Sequence, residues 1–365
     1  MQGQRGAVAR PVDLASQALA EKLATVYSFP KLQSNLEVGM TLQLRGTFSP
    51  NPLVAPLVDG TVQPKGIEIR WEGGQAGDLH SMHLRDSAHD VFEFSISNFI
   101  VTRQRPKDLW DWVMIPVFAS KATLGLNTWV NTGAGIESGA DLLGKRFGIP
   151  DYTMTAGLWF RAQLEVLWGI RPQDIDWYIG RQGEESHGRQ MGFEANPPQG
   201  VRLHWTGAGD VNRMLQSGEL DASFPAGGTV IDTSTGKVAR LFPDGGRRFM
   251  ADFRQKTGFL PVNHAVLVQR RLVEREPWVP EALFEAFEAA KREAYRRDRA
   301  AAGVFREGND DMDWQASAFG ADPFPYGLAA NKAMLDMAAR QSNLDGLTVD
   351  RWDVEQFVAE SLRGT

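Results

Sequence analysis

The stretch Gly144–Gly169, GKRFGIPDYTMTAGLWFRAQLEVLWG, changes its hydrophobic period midway. FGIP is a short apolar run closed by proline, as at the end of a buried strand. TAGLWFRAQLEVLWG then carries apolar residues at helical spacing until Gly169 and Pro172 stop it. A strand that hands over directly to a helix is the basic step of an α/β fold with a largely parallel sheet. The hand-over itself is polar, with Tyr152, Thr153 and Thr155 close together. If the helix starts near Thr153 to Thr155, the free N–H groups of its first turn point into the crevice at the strand's C-terminal edge, where such sheets hold ligands. The threonine hydroxyls add donors, Ala156 and Gly157 allow close approach, and Tyr152 stands at the crevice mouth. A carboxylate suits that arrangement. A plain Thr N-cap explains one threonine and not the whole set. Trp159 and Phe160 read as packing the helix onto its sheet.

Outward from this stretch the alternation continues. TLQLRG and GIEIRW read as strands, a helix is expected from Asp78 to Ala88, and DVFEFSIS, MIPVF and TLGLNTWV read as further strands. DIDWYIG, VRLHW and ELDASF are strands around a helix at DVNRMLQSG. PVNHAVLVQR is a buried strand, PWVPEALFEAFEAAKREAYRRDR a long amphipathic helix, and the tail from Ala321 is mostly helical. The polar loop from Gly180 to Gly200 is long enough to be functional or mobile. At 365 residues the chain is too long for one ordinary core, and without repeats or linkers its lobes are expected to share crossing strands. The division expected is an N-terminal helical extension over 1–38, a discontinuous first lobe of 39–130 plus 262–365, and a second lobe of 131–261.

Composition removes several functions. Net charge is −6 and no Lys/Arg-rich tract occurs, so nucleic acid is not an expected partner. The chain has no cysteine, which excludes disulfides, thiolate catalysis and Cys-ligated metals. No apolar run approaches the ~20 residues that cross a bilayer, and the first residues lack a secretory h-region; the expectation is a soluble, cytoplasmic protein with no membrane partner. TGAGIESG has GxGxxxG spacing, not the dinucleotide fingerprint, and reads as a Gly-rich turn. His80, His83 and His89 fit no zincin spacing and read as residues of a helix face, so no metal is assigned to them. The tryptophans read as core, and no GxSxG occurs.

Taken in order, PDYTMTAGLWFR, GKRFGIP, LQSGELDA, ARLFPD, TGFLPVNH, REPWV, FEAFEAAK and DPFPYGLAANK resemble phrases of the 4,5-dihydroxyphthalate decarboxylase family, and DVFEFSIS is similar to that family's DVSEMSLSS. The resemblance spans about Thr41 to Met337. It implies a two-lobed fold like that of type II periplasmic binding proteins, with a ligand cleft between the lobes. It also implies a carboxy-lyase that converts 4,5-dihydroxyphthalate to protocatechuate and CO2 in phthalate degradation. The chain departs from the family at TFSPNPLVAPLV, where relatives carry a DYDRT-like phrase, and at SFPAGG after LDA, where relatives carry an Arg-bearing one. Both departures bear on substrate contacts, and the substrate is read as a hydroxylated aromatic dicarboxylate.

An aryl anion is too unstable to form directly, so the chemistry calls for protonation of the ipso carbon, with an acid over the ring, a base near the phenol and donors for the remaining carboxylate. His264, in the family phrase PVNH, is the candidate acid/base; its other reading is a histidine capping a strand. Glu93 reads either as the phenol base or as a structural carboxylate accepting backbone N–H bonds, with Ser95 and Ser97 beside it as substrate contacts. Tyr152, Thr153 and Thr155 form the carboxylate anchor. Arg85 and Arg161 match arginines in relatives and read as a bidentate clamp or as salt bridges between helices. Tyr326 is a phenolic donor or part of a turn held by Pro323 and Pro325. No organic cofactor is called for, while a divalent metal and a homo-oligomer stay open. The competing function is a solute-binding or ligand-sensing protein for an aromatic acid.

Overall fold

β3 (Val91–Ser95) and β11 (His264–Gln269) sit side by side although their sequences lie far apart, and this pairing organises the first of two sheets. The computed structural model describes residues 41–365 except 106, 207–209, 226–228, 306–311 and 351, so the expected extension over 1–38 lies outside the described residues. Before β3 come β1 (Leu42–Phe48), α1 (Ala55–Val58), β2 (Ile67–Gly73) and α2 (Ala76–Arg85). After it come α3 (Ile96–Gln104), β4 (Trp112–Ile115), β5 (Trp129–Asn131), β6 (Arg146–Ile149), α4 (Thr155–Trp168) and β7 (Asp176–Ile179). The chain continues through α5 (His187–Gln190), β8 (Arg202–Trp205), α6 (Val211–Ser217), β9 (Ala222–Ser223), β10 (Val238–Arg240) and α7 (Arg247–Thr257). α8 (Arg270–Arg275), α9 (Val279–Arg297), α10 (Met312–Phe319) and α11 (Leu328–Leu344) follow β11.

The first sheet has the order β2-β1-β3-β11-β4, parallel among β1, β2 and β3, with β11 antiparallel to both β3 and β4. The second has the order β10-β5-β9-β6-β7-β8, parallel from β9 through β8. The chain leaves the first sheet after β4 and returns before β11. The two crossing segments are tied together: Ala122 N–H donates to Pro261 O (3.0 Å) and Asn263 N–H to Ser120 O (2.9 Å). This shared crossing makes the architecture two-lobed within one compact unit, Leu42–Thr365.

Local chemistry sets several boundaries differently from the periodicity. DVFEFSIS is strand only to Ser95, because the Ser95 hydroxyl accepts Asn98 N–H (3.2 Å) and starts α3. The helix expected over Asp78 to Ala88 runs Ala76–Arg85 and is over before Ser87, whose φ of 49° leaves the helical region. TLGLNTWV is a strand only in its last residues, since Leu124–Leu126 form a 3₁₀ turn. Trp110, Trp112, Trp159 and Trp177 are buried, and each indole N–H is used inside the protein, on Leu84 O, Ser87 Oγ, Val262 O and Pro172 O. They are core. Trp159 in particular fastens α4 to the returning crossing segment at 2.7 Å. Among the described residues no helix is long and apolar enough to cross a membrane.

Candidate active site

Three strand ends converge in the first sheet. β1 runs out into Ser49, β3 carries Glu93 near its end, and the register of β11 sets its first residue, His264, opposite Ser95. Glu93 is buried, and its carboxylate accepts the Ser49 backbone N–H (2.9 Å), the Ser49 hydroxyl (2.5 Å) and His264 Nδ1–H (2.6 Å). Burial pushes the Glu93 carboxyl up, but the His264 charge and these bonds outweigh it and hold the group below the usual carboxylate range. The carboxylate fixes His264 with Nδ1 protonated, and Nε2 has no partner among the described residues. With three donors on it, Glu93 acts through His264. The direct phenol-base reading of Glu93 gives way to that of a carboxylate accepting a backbone N–H.

α2 adds a residue that the sequence reading set aside. The His80 ring stands edge-on to His264, with centroids 4.6 Å apart, and against Phe94 at 5.2 Å. His80 is buried, and its Nε2 has no hydrogen-bond partner. Burial, helped by the charges of His264 and His187, holds it well below the usual histidine range. His187 arrives from the polar loop over 180–200, where only its place in the fold reveals it. Its Nε2–H donates to Gly77 O (3.0 Å) and its Nδ1 accepts from Asn98 Nδ2 (2.8 Å). Burial and the neighbouring Arg181 push it down to about 4, so it is neutral near pH 7. Asp151 secures the base of that loop by accepting from Thr153 N–H, Thr153 Oγ1, Ser186 Oγ and Gly188 N–H.

The second sheet contributes the polar hand-over. α4 starts at Thr155, whose hydroxyl lies 2.8 Å from Ser95 Oγ and accepts Ser97 N–H at 3.1 Å, so the starts of α3 and α4 meet across the two lobes. The first-turn N–H groups of Thr155, Ala156 and Gly157 have no acceptor among the described residues, and Ser97 Oγ is buried without a partner. Ser95, Ser97 and Thr155 are therefore brought together with His264 and Glu93.

The other expected contacts are placed elsewhere. Tyr152 does not stand at a crevice mouth: it is buried, and its hydroxyl donates to Asp345 O at 3.2 Å. The Thr153 hydroxyl is committed to Asp151. Arg161 is no free clamp, since it pairs with the Asp345 carboxylate at 2.6 Å, bonds Tyr152 O and lies 4.0 Å above the Tyr152 ring. A buried guanidinium needs a counter-charge, and the end of α11 supplies it. Arg85 is half exposed, 3.8 Å from Glu184. Tyr326 is buried with its ring 4.1 Å from Lys291 Nζ and its hydroxyl unpartnered. Of the three histidines of LHSMHLRDSAHD only His80 meets His264: His83 bonds Thr47 Oγ1 (2.8 Å), His89 bonds Glu72 Oε2 (3.0 Å), and these two rings pack on each other at 5.4 Å. Among the described residues no group of three or more His, Asp or Glu side chains is arranged to hold a metal ion.

With this geometry in view, similarity to known proteins is informative. The chain is 30% identical over 326 residues to the 4,5-dihydroxyphthalate decarboxylase of Comamonas testosteroni, covering 88% of this chain and 94% of that one. It belongs to the 4,5-dihydroxyphthalate decarboxylase family. The decarboxylase of the same name from Pseudomonas putida is 31% identical over 216 residues, 59% of this chain and 78% of that one. No family model matches the chain. The fold is that of type II periplasmic binding proteins. The aliphatic sulphonate binding protein SsuA of Escherichia coli superposes with a TM-score of 0.50 at 15% identity, covering 89% of this chain and 99% of that one. The desulfurization enzyme DSZB does so at 0.50 and 15%, covering 88% and 98%. This member of the decarboxylase family thus shares one scaffold with binding proteins and with an enzyme, and its site has to be judged on its own residues.

Proposed function

We propose that the protein catalyses the non-oxidative decarboxylation of 4,5-dihydroxyphthalate to protocatechuate and CO2, with His264 delivering the proton to the ring. The observation that carries this reading is the Glu93-held imidazole whose Nε2 is free. The names of the two relatives support the substrate.

The hydroxyl para to the departing group pushes electron density toward the ipso carbon, and His264 Nε2–H transfers its proton there. The bond to the carboxylate carbon then breaks, and its electron pair restores the aromatic ring. One proton is consumed, it becomes a ring C–H, and water reprotonates His264. Glu93 is the positioning residue: it holds the tautomer and stabilises the imidazolium before transfer. The spectator carboxylate lies at the first turn of α4, where three unpaired N–H groups and the helix dipole favour an anion. The route is redox-neutral and calls on no organic cofactor.

The test is incubation of the purified protein with 4,5-dihydroxyphthalate, following its loss and the appearance of protocatechuate by chromatography. Stoichiometric formation of product and CO2 is expected. Tight binding without turnover would support the solute-binding reading and would end this one.

A further inference from the structure

We infer that His80 is a substrate-contacting residue that seats the carboxylate leaving as CO2, an inference that rests on the decarboxylase reading above. Among the described residues its ring is buried against Phe94, His264 and His187 without a single hydrogen bond, and Nε2 has no partner. A buried imidazole nitrogen of this kind is costly unless a ligand or water completes it. Arg161 also keeps unpartnered nitrogens, but it has Asp345 as a counter-charge and the Tyr152 ring as a cover. His80 has no such partner.

Its position selects what it touches. With ring centroids 4.6 Å apart, His80 and His264 reach the same end of a benzene ring, given a hydrogen-bond reach of about 3 Å. The group that His80 meets is a substituent on, or next to, the carbon that His264 protonates.

Its charge state selects between the two carboxylates. Burial, with the nearby His264 and Arg181, keeps His80 neutral. The departing carboxylate changes from an anion to neutral CO2 as the bond breaks, so a cation there would stabilise the ground state more than the transition state. A neutral N–H beside Phe94 orients the group without adding a second cation to that of His264, so the charge that must disappear as CO2 forms is not held further. The spectator carboxylate keeps its charge and belongs with the amides of α4.

The experiment compares wild type, His80→Leu and His80→Gln, using turnover of 4,5-dihydroxyphthalate and binding of two unreactive probes, phthalate and benzoate. Only phthalate carries a second carboxylate. His80→Leu is expected to lower kcat about 10²-fold or more and to weaken phthalate about tenfold while leaving benzoate unchanged. His80→Gln, which keeps a neutral N–H donor, is expected to retain kcat within about tenfold of wild type. Equal weakening of both probes, or a His80→Leu kcat close to wild type, would overturn the proposal. If His80→Leu does not fold, as judged by circular dichroism, His80→Asn retracts the donor and is expected to show the same split. A wild type that never turns over overturns the decarboxylase reading and the departing role together. The contrast between phthalate and benzoate then decides separately whether His80 meets a carboxylate.

Discussion

Two buried acid–base pairs of equal length, 2.6 Å, sit in this molecule and behave differently: Arg161 with Asp345, and His264 with Glu93. The first is sealed, with side-chain exposures of 1% and 0%; aromatic rings of Tyr152 and Trp177 cover the guanidinium. The second is open on one side, with His264 at 12% and Glu93 at 2%. In the sealed pair Arg161 keeps two nitrogens without partners, but burial and the covering rings close them off, and what the pair contributes is the junction of α4 with the end of α11. In the open pair one partner is saturated by three donors while the other keeps a nitrogen for chemistry. A short ion pair is therefore poor evidence of a site by itself. Better evidence is an unused atom on the side that stays open, as His264 Nε2 is.

Breaking each pair in turn separates the two roles. His264→Ala is expected to lower kcat for 4,5-dihydroxyphthalate by about 10²- to 10⁴-fold while costing less stability than Asp345→Ala, since Glu93 keeps both Ser49 donors. Undiminished turnover would remove His264 from the mechanism. Asp345→Ala should do the reverse, costing about 3–5 kcal/mol in urea unfolding because the Arg161 charge is left buried and unpaired. An unchanged midpoint would show that this pair is not structural.

Acid sharpens the comparison by acting on buried histidines that, unlike His264, bond no carboxylate. His83 is pushed down to about 3 by burial and by the His89 charge, and His187 to about 4. Their folded pKa values lie below the unfolded one, so the unfolded chain binds more protons. The stability they contribute is complete above pH ~6.5 and is lost as pH falls toward 3, at up to about 1.4 kcal/mol per pH unit for each group. Thermal midpoints measured from pH 7 to pH 5 should fall, and His83→Gln should flatten part of that slope. Identical slopes for variant and wild type would rule out His83 as a contributor.

The smallest effect expected comes from Ser49→Ala. It removes one hydroxyl bond to Glu93 and leaves the backbone N–H in place, so kcat/KM should fall by no more than about tenfold, near 1 kcal/mol. A loss as large as that of His264→Ala would mean that Ser49 itself meets the substrate.

The legibility of the site follows the same division. His264, Glu93, Ser95 and Thr155 lie at or near the ends of strands or the starts of helices; the rule that ligands gather at strand ends reaches Thr155 from sequence, and the family phrase PVNH singles out His264. His80 and His187 escape that rule. His80 sits in mid-helix, three residues from His83, yet one ring meets His264 and the other stacks on Phe92. His187 lies in a polar loop whose residues carry no periodicity, and its tautomer is set by Gly77 and Asn98, 110 and 89 residues away. Tyr152 reads as a ligand donor because it flanks a helix start, and Arg161 because it matches an arginine in relatives. Asp345, 184 residues from Arg161, turns them into core.

By itself the sequence determined the class of the fold, the helix that follows FGIP and the strand-end residues, because hydrophobic period and turn chemistry are local properties. The tertiary structure decided which polar groups were satisfied, which pair was sealed and which imidazole was left without a partner. Those outcomes depend on counter-charges and rings brought in from distant parts of the chain, and no local pattern encodes them.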